Sequence, residues 1–355
     1  MKAALVGLMQ SGKSTLFSAV SGKDPAPIGS GSIEEAIVPV PDQRLDYLEQ
    51  IYKPEKTTPA TIDCLDVPGF NFADEHGRKN AHKLMEKIRT VDLLVWVIRA
   101  YEDPSVPPYR NRVDPATDLQ ELKTEFLLAD LELVTTRIEK LEKQVKKPSD
   151  TQAKDKAELE LQKKLQQTIE QEKPLSSAVN TESELSIIKS LNFLTLKPIV
   201  VAVNIGEEKL GEEFSFPHLD ENIPVIEISA KLEREISLLD KESRAEFMAD
   251  MGIKESALSK FVNSCYSALG LISFLTTTSG ELRAWAIKKG TTAREAAGKV
   301  HSDIQRGFIR AEVFSFEDLE KYGDEKTLRS EGKIRLEGKD YIVKDGDIIN
   351  FRFNV

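Results

Sequence analysis

The order of apolar and polar residues divides the chain into stretches of different period. Five short apolar-rich runs, the third nearly continuous, alternate with longer stretches of helical spacing: Ala3 to Val6, Thr61 to Asp66, Asp92 to Arg99, Pro198 to Asn204 and Ile223 to Ile228. Apolar runs of strand length, without the alternation of a half-exposed strand, mark strands buried on both faces of a parallel sheet. Strands that alternate with helices predict a doubly wound α/β sheet, with ligands at the carboxyl ends of its strands.

Between the third and fourth runs the period becomes that of a heptad. Leu127, Leu131, Val134, Ile138, Leu141 and Val145 recur at intervals of 4, 3, 4, 3 and 4, the apolar seam of one long helix. Pro148 and Ser149 break it, and Leu161, Leu165 and Ile169 carry a second helix, roughly Ala157 to Glu172, back along the first. The prediction is an antiparallel helical hairpin inserted into the α/β domain. From about residue 271 short strands and turns take over. Leu271 to Thr277 and Leu282 to Ile287 read as a hairpin around Ser279-Gly280, and Thr292 to Val300 as a helix with Thr292 and Glu295 in capping-box spacing. Arg310 to Phe314, Tyr341 to Val343 and Ile348 to Phe353 read as further strands, the last two joined by a turn at Asp345-Gly346. Two hairpins around a helix predict a compact β-grasp-like domain for binding, in which His301 beside Asp303 is a structural or surface pair. The expected organisation is an α/β domain over 1–115 and 196–270, the hairpin over 116–195 and the last domain over 271–355.

Composition narrows the class. With 355 residues, 40% apolar and 30% charged, the chain is a globular protein of two or three domains with a real core. A net charge of −10 argues against non-specific nucleic-acid binding by the surface as a whole, and no DNA partner is expected. Cys64 and Cys265 stand alone and far apart, which points to a reducing compartment and to neither a disulfide framework nor a zinc site. No run reaches the roughly 18–20 apolar residues of a membrane span, and Ala3 to Met9 is too short for a signal peptide. A cytoplasmic location and no membrane partner are therefore expected.

The chemistry is concentrated at the start. Gly7, Gly12, Lys13 and Ser14 fit the phosphate-binding loop G-x-x-x-x-G-K-[ST] without a gap, directly after an apolar strand and before a helix start. In that setting the loop amides of Met9, Gln10, Ser11 and Thr15 and the helix N-terminus favour bound phosphate. Lys13 reaches the β- and γ-phosphates and Ser14 ligates Mg²⁺. Asp66-x-x-Gly69, at the end of a later apolar strand, supplies the partner motif: Asp66 holds Mg²⁺ and the Gly69 amide meets the γ-phosphate. Residues 22–37, rich in Gly, Ser and Pro around Ser30, are either a nucleotide-sensing switch or a plain surface loop, and residues 70–82 are a second candidate switch. Asn204-Ile205-Gly206-Glu207 and Ser229-Ala230-Lys231 lie at strand ends where a base would bind. Lys140, Lys143, Lys146, Lys147, Lys154 and Lys156 cluster towards the hairpin tip and suit either RNA phosphates or plain solvation.

These motifs and several longer runs make the chain resemble the Obg-like ATPases, the YchF family of the P-loop GTPase superfamily, over essentially its whole length. The runs are Gly7 to Thr15, Val38-Pro-Val-Pro-Asp-Gln-Arg44, Tyr52-Lys-Pro54, Arg99-Ala-Tyr-Glu-Asp103 and Val113-Asp-Pro115. In the last domain they are Arg283-Ala-Trp285, Gly307 to Glu312, Arg335 to Val343 and Phe351 to Val355. The resemblance implies a nucleotidase with an inserted hairpin and a TGS domain, associated with ribosomes. It implies ATP ahead of GTP, because Asn204-Ile205-Gly206-Glu207 stands where GTPases place N-K-x-D: the Lys is absent and Glu207 replaces the Asp that reads guanine. Ile205 would pack near the base, and Ser229-Ala230 resembles the loop that closes over it. The chain also departs from the family. Gln10 stands for an Asn, the first switch is shortened and offers no Thr for Mg²⁺, with Ser30 or Ser32 as substitutes, and the glycine-rich second switch is reduced to His76-Gly77-Arg78-Lys79-Asn80. Phe70 occupies the place where many GTPases carry a water-orienting Gln, as in the family, and His76 is a candidate to orient water instead. Three readings follow: a slow Mg²⁺-dependent ATPase that switches ribosome contacts, a nucleotide-gated ribosome- or RNA-binding module with negligible turnover, or a scaffold acting through the hairpin and last domain.

Overall fold

The computed structural model describes every residue except 25–30, 149, 218, 251–255, 279 and 355. Ser30, Ser149, Ser279 and Val355, singled out above, lie outside the described residues. In chain order the strands are β1 (Lys2–Val6), β2 (Glu34–Pro39), β3 (Lys56–Thr58), β4 (Thr61–Asp66), β5 (Leu93–Ala100), β6 (Ile199–Ile205), β7 (Val225–Ile228), β8 (Leu271–Thr278), β9 (Glu281–Lys288), β10 (Phe308–Ser315), β11 (Arg335–Glu337) and β12 (Asp347–Phe353). The helices that matter here are α1 (Lys13–Ser21), α2 (Gln43–Tyr52), α3 (Glu75–Ile88), α4 (Pro115–Gln144), α5 (Gln152–Glu170), α6 (Glu182–Ile188), α7 (Ala230–Leu238), α8 (Lys241–Asp250), α9 (Ala257–Ala268) and α10 (Ala293–Val300). None of the described helices is long and apolar enough to cross a membrane.

The chain separates into two compact units, residues 1–36 with 64–257, and residues 37–63 with 258–355. The first contains the hairpin. The second takes in residues 37–63, which the sequence reading grouped with the α/β part.

The first sheet has the order β2-β4-β1-β5-β6-β7, with β1–β5, β5–β6 and β6–β7 parallel. Every residue of β5 is buried, as its unbroken apolar run requires. The core of this unit gathers Val6, Leu94, Trp96, Ile98, Val201 and Val203 from the strands with Phe70, Phe72, Met85, Leu122 and Phe126. α3 starts at Asp74, whose carboxylate accepts the Gly77 amide at 2.8 Å. The second candidate switch is therefore half helical. α4 starts at Asp114, which accepts the Thr117 amide at 3.1 Å, with Pro115 in the first turn where its missing N–H costs nothing.

α4 and α5 form the predicted hairpin. Val134 and Ile138 pack with Leu161, Leu165 and Ile169 in a core of their own, with Leu127 and Leu131 partly buried against it, and Leu141 is fully buried further along α4. Val145 lies just past the end of α4 and is only half-buried. Arg137 grips Glu158 across the pair through two bonds of 2.6 and 2.8 Å.

The second unit carries the sheet β11-β10-β12-β8-β9-β3. β12 runs parallel to β8 between antiparallel pairs, and β3 adds a parallel edge to β9. α10 closes its first turn with the predicted capping box, Thr292 with Glu295, and packs Ala293, Ala296 and Ala297 against Phe274, Val313 and Phe351. Three expectations change here. Tyr341 to Val343 is not a strand but a single bridge, Thr292 to Ile342. Tyr341 N is spent on a turn to Gly338 O, and the bridge rests on Ala293 N to Tyr341 O and Val343 N to Thr291 O. The loop expected over 22–37 gives way to β2 from Glu34. Residues 37–63 contribute α2 and the edge strand β3. His301 serves as an N-cap, its Nδ1 accepting the Asp303 amide at 3.2 Å, in keeping with a structural role.

Candidate functional site

The loop between β1 and α1 turns on two left-handed residues, Gln10 (φ 60°) and Gly12 (φ 90°). Gly12 has no alternative, since a Cβ there would strike the side-chain amide of Asn204. Gln10 is not a glycine, and such a backbone persists only where surroundings hold it. Its carbonyl accepts from Tyr101 Oη at 3.0 Å and from Arg99 Nη1 at 3.3 Å. Arg99 also donates to the carbonyls of Tyr101 and Val106, and its guanidinium lies 4.2 Å from the centre of the Tyr101 ring. Arg99 and Tyr101 entered the sequence reading only as part of a family run. A charged residue at the end of a wholly apolar strand was the signal that its side chain has buried work.

Lys13 is buried. Its Nζ donates to the carbonyls of Gly7 at 3.2 Å and Leu8 at 2.8 Å and to Ser11 Oγ at 3.1 Å, so the ammonium curls back over its own loop. Burial lowers its pKa to about 8, with the Asp66 charge opposing the shift. Asp66 is 6% exposed. Burial raises its affinity for a proton, and a Glu34 carboxylate nearby adds to this, while a hydrogen bond from Ser14 and the Lys13 charge oppose it. Its Oδ1 has no hydrogen-bond partner. A buried carboxylate oxygen left open beside the Ser14 hydroxyl is what a divalent cation at this place requires, so the residues fit Mg²⁺.

The segment after Asp66 lies along the loop. Val67 N donates to Leu5 O, Phe70 N to Gly7 O at 3.0 Å, and Met9 N to Phe70 O at 3.0 Å. Gly69 passes so close that a Cβ would sit 2.7 Å from Met9 Cα. Phe70 itself is fully buried against Phe72 and Phe126. His76 stands exposed in the first turn of α3, 3.1 Å from Asn80 Nδ2, and lines a pocket shared with Met9 and Gly69.

At the other side of the loop, Asn204 is 4% exposed. Its Nδ2 donates to Ser11 O at 2.9 Å and its Oδ1 accepts the Ala230 amide at 3.1 Å. One side chain thus joins the phosphate loop, the end of β6 and the start of α7, where Ser229 Oγ accepts the Leu232 amide. Ile205 is buried and Glu207 is exposed, 3.8 Å from Lys231 Nζ. The loop, Asp66, Asn204 and Ser229 all lie at carboxyl ends of strands, the predicted location. Thr15 is half-buried in α1. Ser32 donates to Glu34 Oε1 at 3.1 Å.

Comparison with known proteins agrees with this architecture. A family described as "50S ribosome-binding GTPase" matches residues 2–204, and the C-terminal YchF-GTPase family, described as a protein of unknown function, matches residues 271–354. The chain is 38% identical to the Ribosome-binding ATPase YchF of Bacillus subtilis, over 100% of both chains. It is 37% identical to that of Haemophilus influenzae, over 100% of this chain and 99% of the other. Among solved structures, the Schizosaccharomyces pombe YchF GTPase superimposes with a TM-score of 0.86 at 30% identity, covering 99% of this chain and 97% of that one. Likeness of this extent, from the first strand to the last, makes the chain a member of the YchF family.

Proposed function

We propose that the protein is a slow, Mg²⁺-dependent nucleoside triphosphatase, with ATP preferred to GTP, that acts as a ribosome-associated switch in the cytoplasm. The observation that carries the reading is the buried Lys13 ammonium, poised on loop carbonyls it can exchange for phosphate oxygens. Beside it lies the unpartnered Asp66 oxygen, next to Ser14. Lys13, the amides of residues 9–15 and the Gly69 amide hold the phosphates, and Ser14 and Asp66 hold the metal. Magnesium, when bound, neutralises charge on the β- and γ-phosphates. Phosphoryl transfer then asks mainly for positioning and charge stabilisation, which these fixed groups supply without a dedicated base.

Base choice is read at Asn204 to Glu207. Both polar ends of the Asn204 amide already hold protein backbone, so Asn204 positions the loops. Ile205 and the Ser229-Ala230 turn frame the base, and the exposed Glu207 carboxylate pairs with Lys231 at 3.8 Å in place of the aspartate that would read guanine. The ribosome enters through the names of the relatives, and Lys140, Lys143 and Lys147, exposed along one hollow of the hairpin, suit RNA phosphates. We read residues 271–355 as a TGS domain that contributes to the same partner.

A second reading, a nucleotide-gated module with negligible hydrolysis, draws on Phe70. It is locked in the core where a side chain would have to reach a water. Calorimetric titration with ATPγS and GTPγS, followed by phosphate release with and without ribosomes, separates the readings. The ATPase reading expects adenine preference and turnover abolished by Lys13→Ala. Guanine preference overturns the ATP assignment, and tight binding with background turnover even on ribosomes selects the second reading.

A further inference from the structure

The expected first-switch Thr is missing, yet a second acidic group stands where it would matter. β2 and β4 are neighbours in the sheet, and Val40 N donates to Ala60 O at 2.8 Å. Glu34, at the far end of β2, is close enough to Asp66, at the far end of β4, to act on its carboxyl electrostatically. Only an antiparallel alignment satisfies both, and it places residue 34 opposite residue 66. Side chains alternate along a strand. Glu34 therefore shares the face of buried Ala36, Val38 and Val40, while Glu35, Ile37 and Pro39 face outward. Glu35 pairs with Lys2 at 2.7 Å. Glu34 has no basic partner among the described residues, only the Ser32 hydroxyl on Oε1. Like charges directly across a ladder destabilise it, and here one of the two is a carboxylate 6% exposed with an open oxygen.

We propose that Glu34 is a second protein carboxylate of the divalent-cation site, facing Asp66 across the β2–β4 ladder and taking, with Ser32 bonded to it, the place of the missing threonine. The inference rests on the nucleotide-binding reading above. Mg²⁺ arriving with a nucleoside triphosphate relieves the repulsion between the two strands, so cation binding fixes the start of β2, at the end of the first candidate switch. Glu34 is exposed on an edge strand, so its substitution leaves the core intact.

The test is the free Mg²⁺ needed for half-maximal binding of ATPγS by the full chain, for wild type, Glu34→Gln and Glu35→Gln, each checked for its circular dichroism and melting. Loss of a group that orients or ligates a metal typically weakens it about 10- to 100-fold. Glu34→Gln should raise the Mg²⁺ requirement by about tenfold or more, with ATPγS affinity in EDTA no weaker than wild type, and Glu35→Gln should leave the requirement in place. An unchanged requirement in Glu34→Gln, equal shifts in both variants, or tighter ATPγS binding by Glu34→Gln at every Mg²⁺ concentration overturns the proposal. Wild type that binds ATPγS only with Mg²⁺ while Glu34→Gln behaves identically overturns this inference alone. Wild type that binds no ATPγS at any Mg²⁺ concentration overturns the nucleotide-binding reading and this inference with it.

Discussion

Replacing Asn204 with Ala tests the claim that one side chain ties the phosphate loop to the base-side loops. The substitution removes two hydrogen bonds, Nδ2 to Ser11 O and Ala230 N to Oδ1, at a position 4% exposed next to Ser11 at 2%. A neutral hydrogen bond contributes about 0.5–1.5 kcal/mol net, and a buried group left unpaired costs about 1–3 kcal/mol. Ser11 O and Ala230 N are both left unpaired, so about 2–4 kcal/mol of loop positioning is lost, after allowing that one of them relaxes towards water. At 1.4 kcal/mol per factor of ten, ATPγS affinity should fall by about 30- to 1,000-fold if the whole cost falls on the bound state. It should fall by about 5- to 30-fold if half is already spent as loosening of the empty loop. Calorimetry on Asn204→Ala measures the fall, and melting of the empty protein measures the share that appears as stability. Asn204→Asp keeps the acceptor for Ala230 N but turns a negative oxygen towards the Ser11 carbonyl, so it should bind no better than Asn204→Ala. Affinity within about threefold of wild type in a folded Asn204→Ala protein would refute the reasoning, because the two bonds would then carry no positioning.

Other consequences follow from burial and charge. Burial holds the Lys13 pKa at about 8, below its unfolded value, so between these values the unfolded chain binds more protons and this group's contribution to stability rises with pH. Bound phosphates favour the ammonium. ATPγS affinity should therefore be flat below pH 8 and fall by up to about tenfold per unit above it, with uptake of nearly one proton on binding; calorimetry in buffers of different ionisation enthalpy reads that proton, and its absence at pH 9 contradicts the assignment. Leu165→Ala, at a fully buried site in the hairpin core, should lower stability by about 2–5 kcal/mol in urea unfolding. ATPγS affinity should not change, because the hairpin core is separate from the one around the sheet. Phe70→Ala should cost about 3–5 kcal/mol and loosen the Phe70–Met9 backbone pairing; a variant as stable as wild type would show that Phe70 is not the packing anchor it occupies space for.

Most of the first sheet was legible because its signal is one-dimensional. Runs such as Leu93 to Ala100 are buried throughout, so apolarity alone marks them, and the hairpin seam from Leu127 to Leu141 repeats with the helix period itself. What escaped was set by partners distant in sequence. β3, Lys56–Thr58, has no apolar run; it is a strand because the edge of β9 offers hydrogen bonds to it, Lys56 N to Gly280 O among them. Tyr341 to Val343 has the composition of a strand and stops at one bridge, because Tyr341 N is taken by a turn to Gly338 O and the segment opposite enters α10 directly after Thr292.

The site divides in the same way. Lys13, Ser14 and Asp66 carry chemistry that dictates residue type and spacing, so a motif exposes them. Arg99 and Tyr101 hold a backbone carbonyl, a task many residue types and spacings perform, and Glu34 meets Asp66 only through the register of two strands joined by more than twenty intervening residues. Groups that touch a ligand of fixed shape leave a pattern in sequence, whereas groups that hold the loop in place, or complete its charge, are selected by three-dimensional fit. The loop's strained Gln10 therefore predicts its own supports. Here buried Arg99, near the end of β5, and Tyr101, just past it, both grip the Gln10 carbonyl and so hold the loop's left-handed turn.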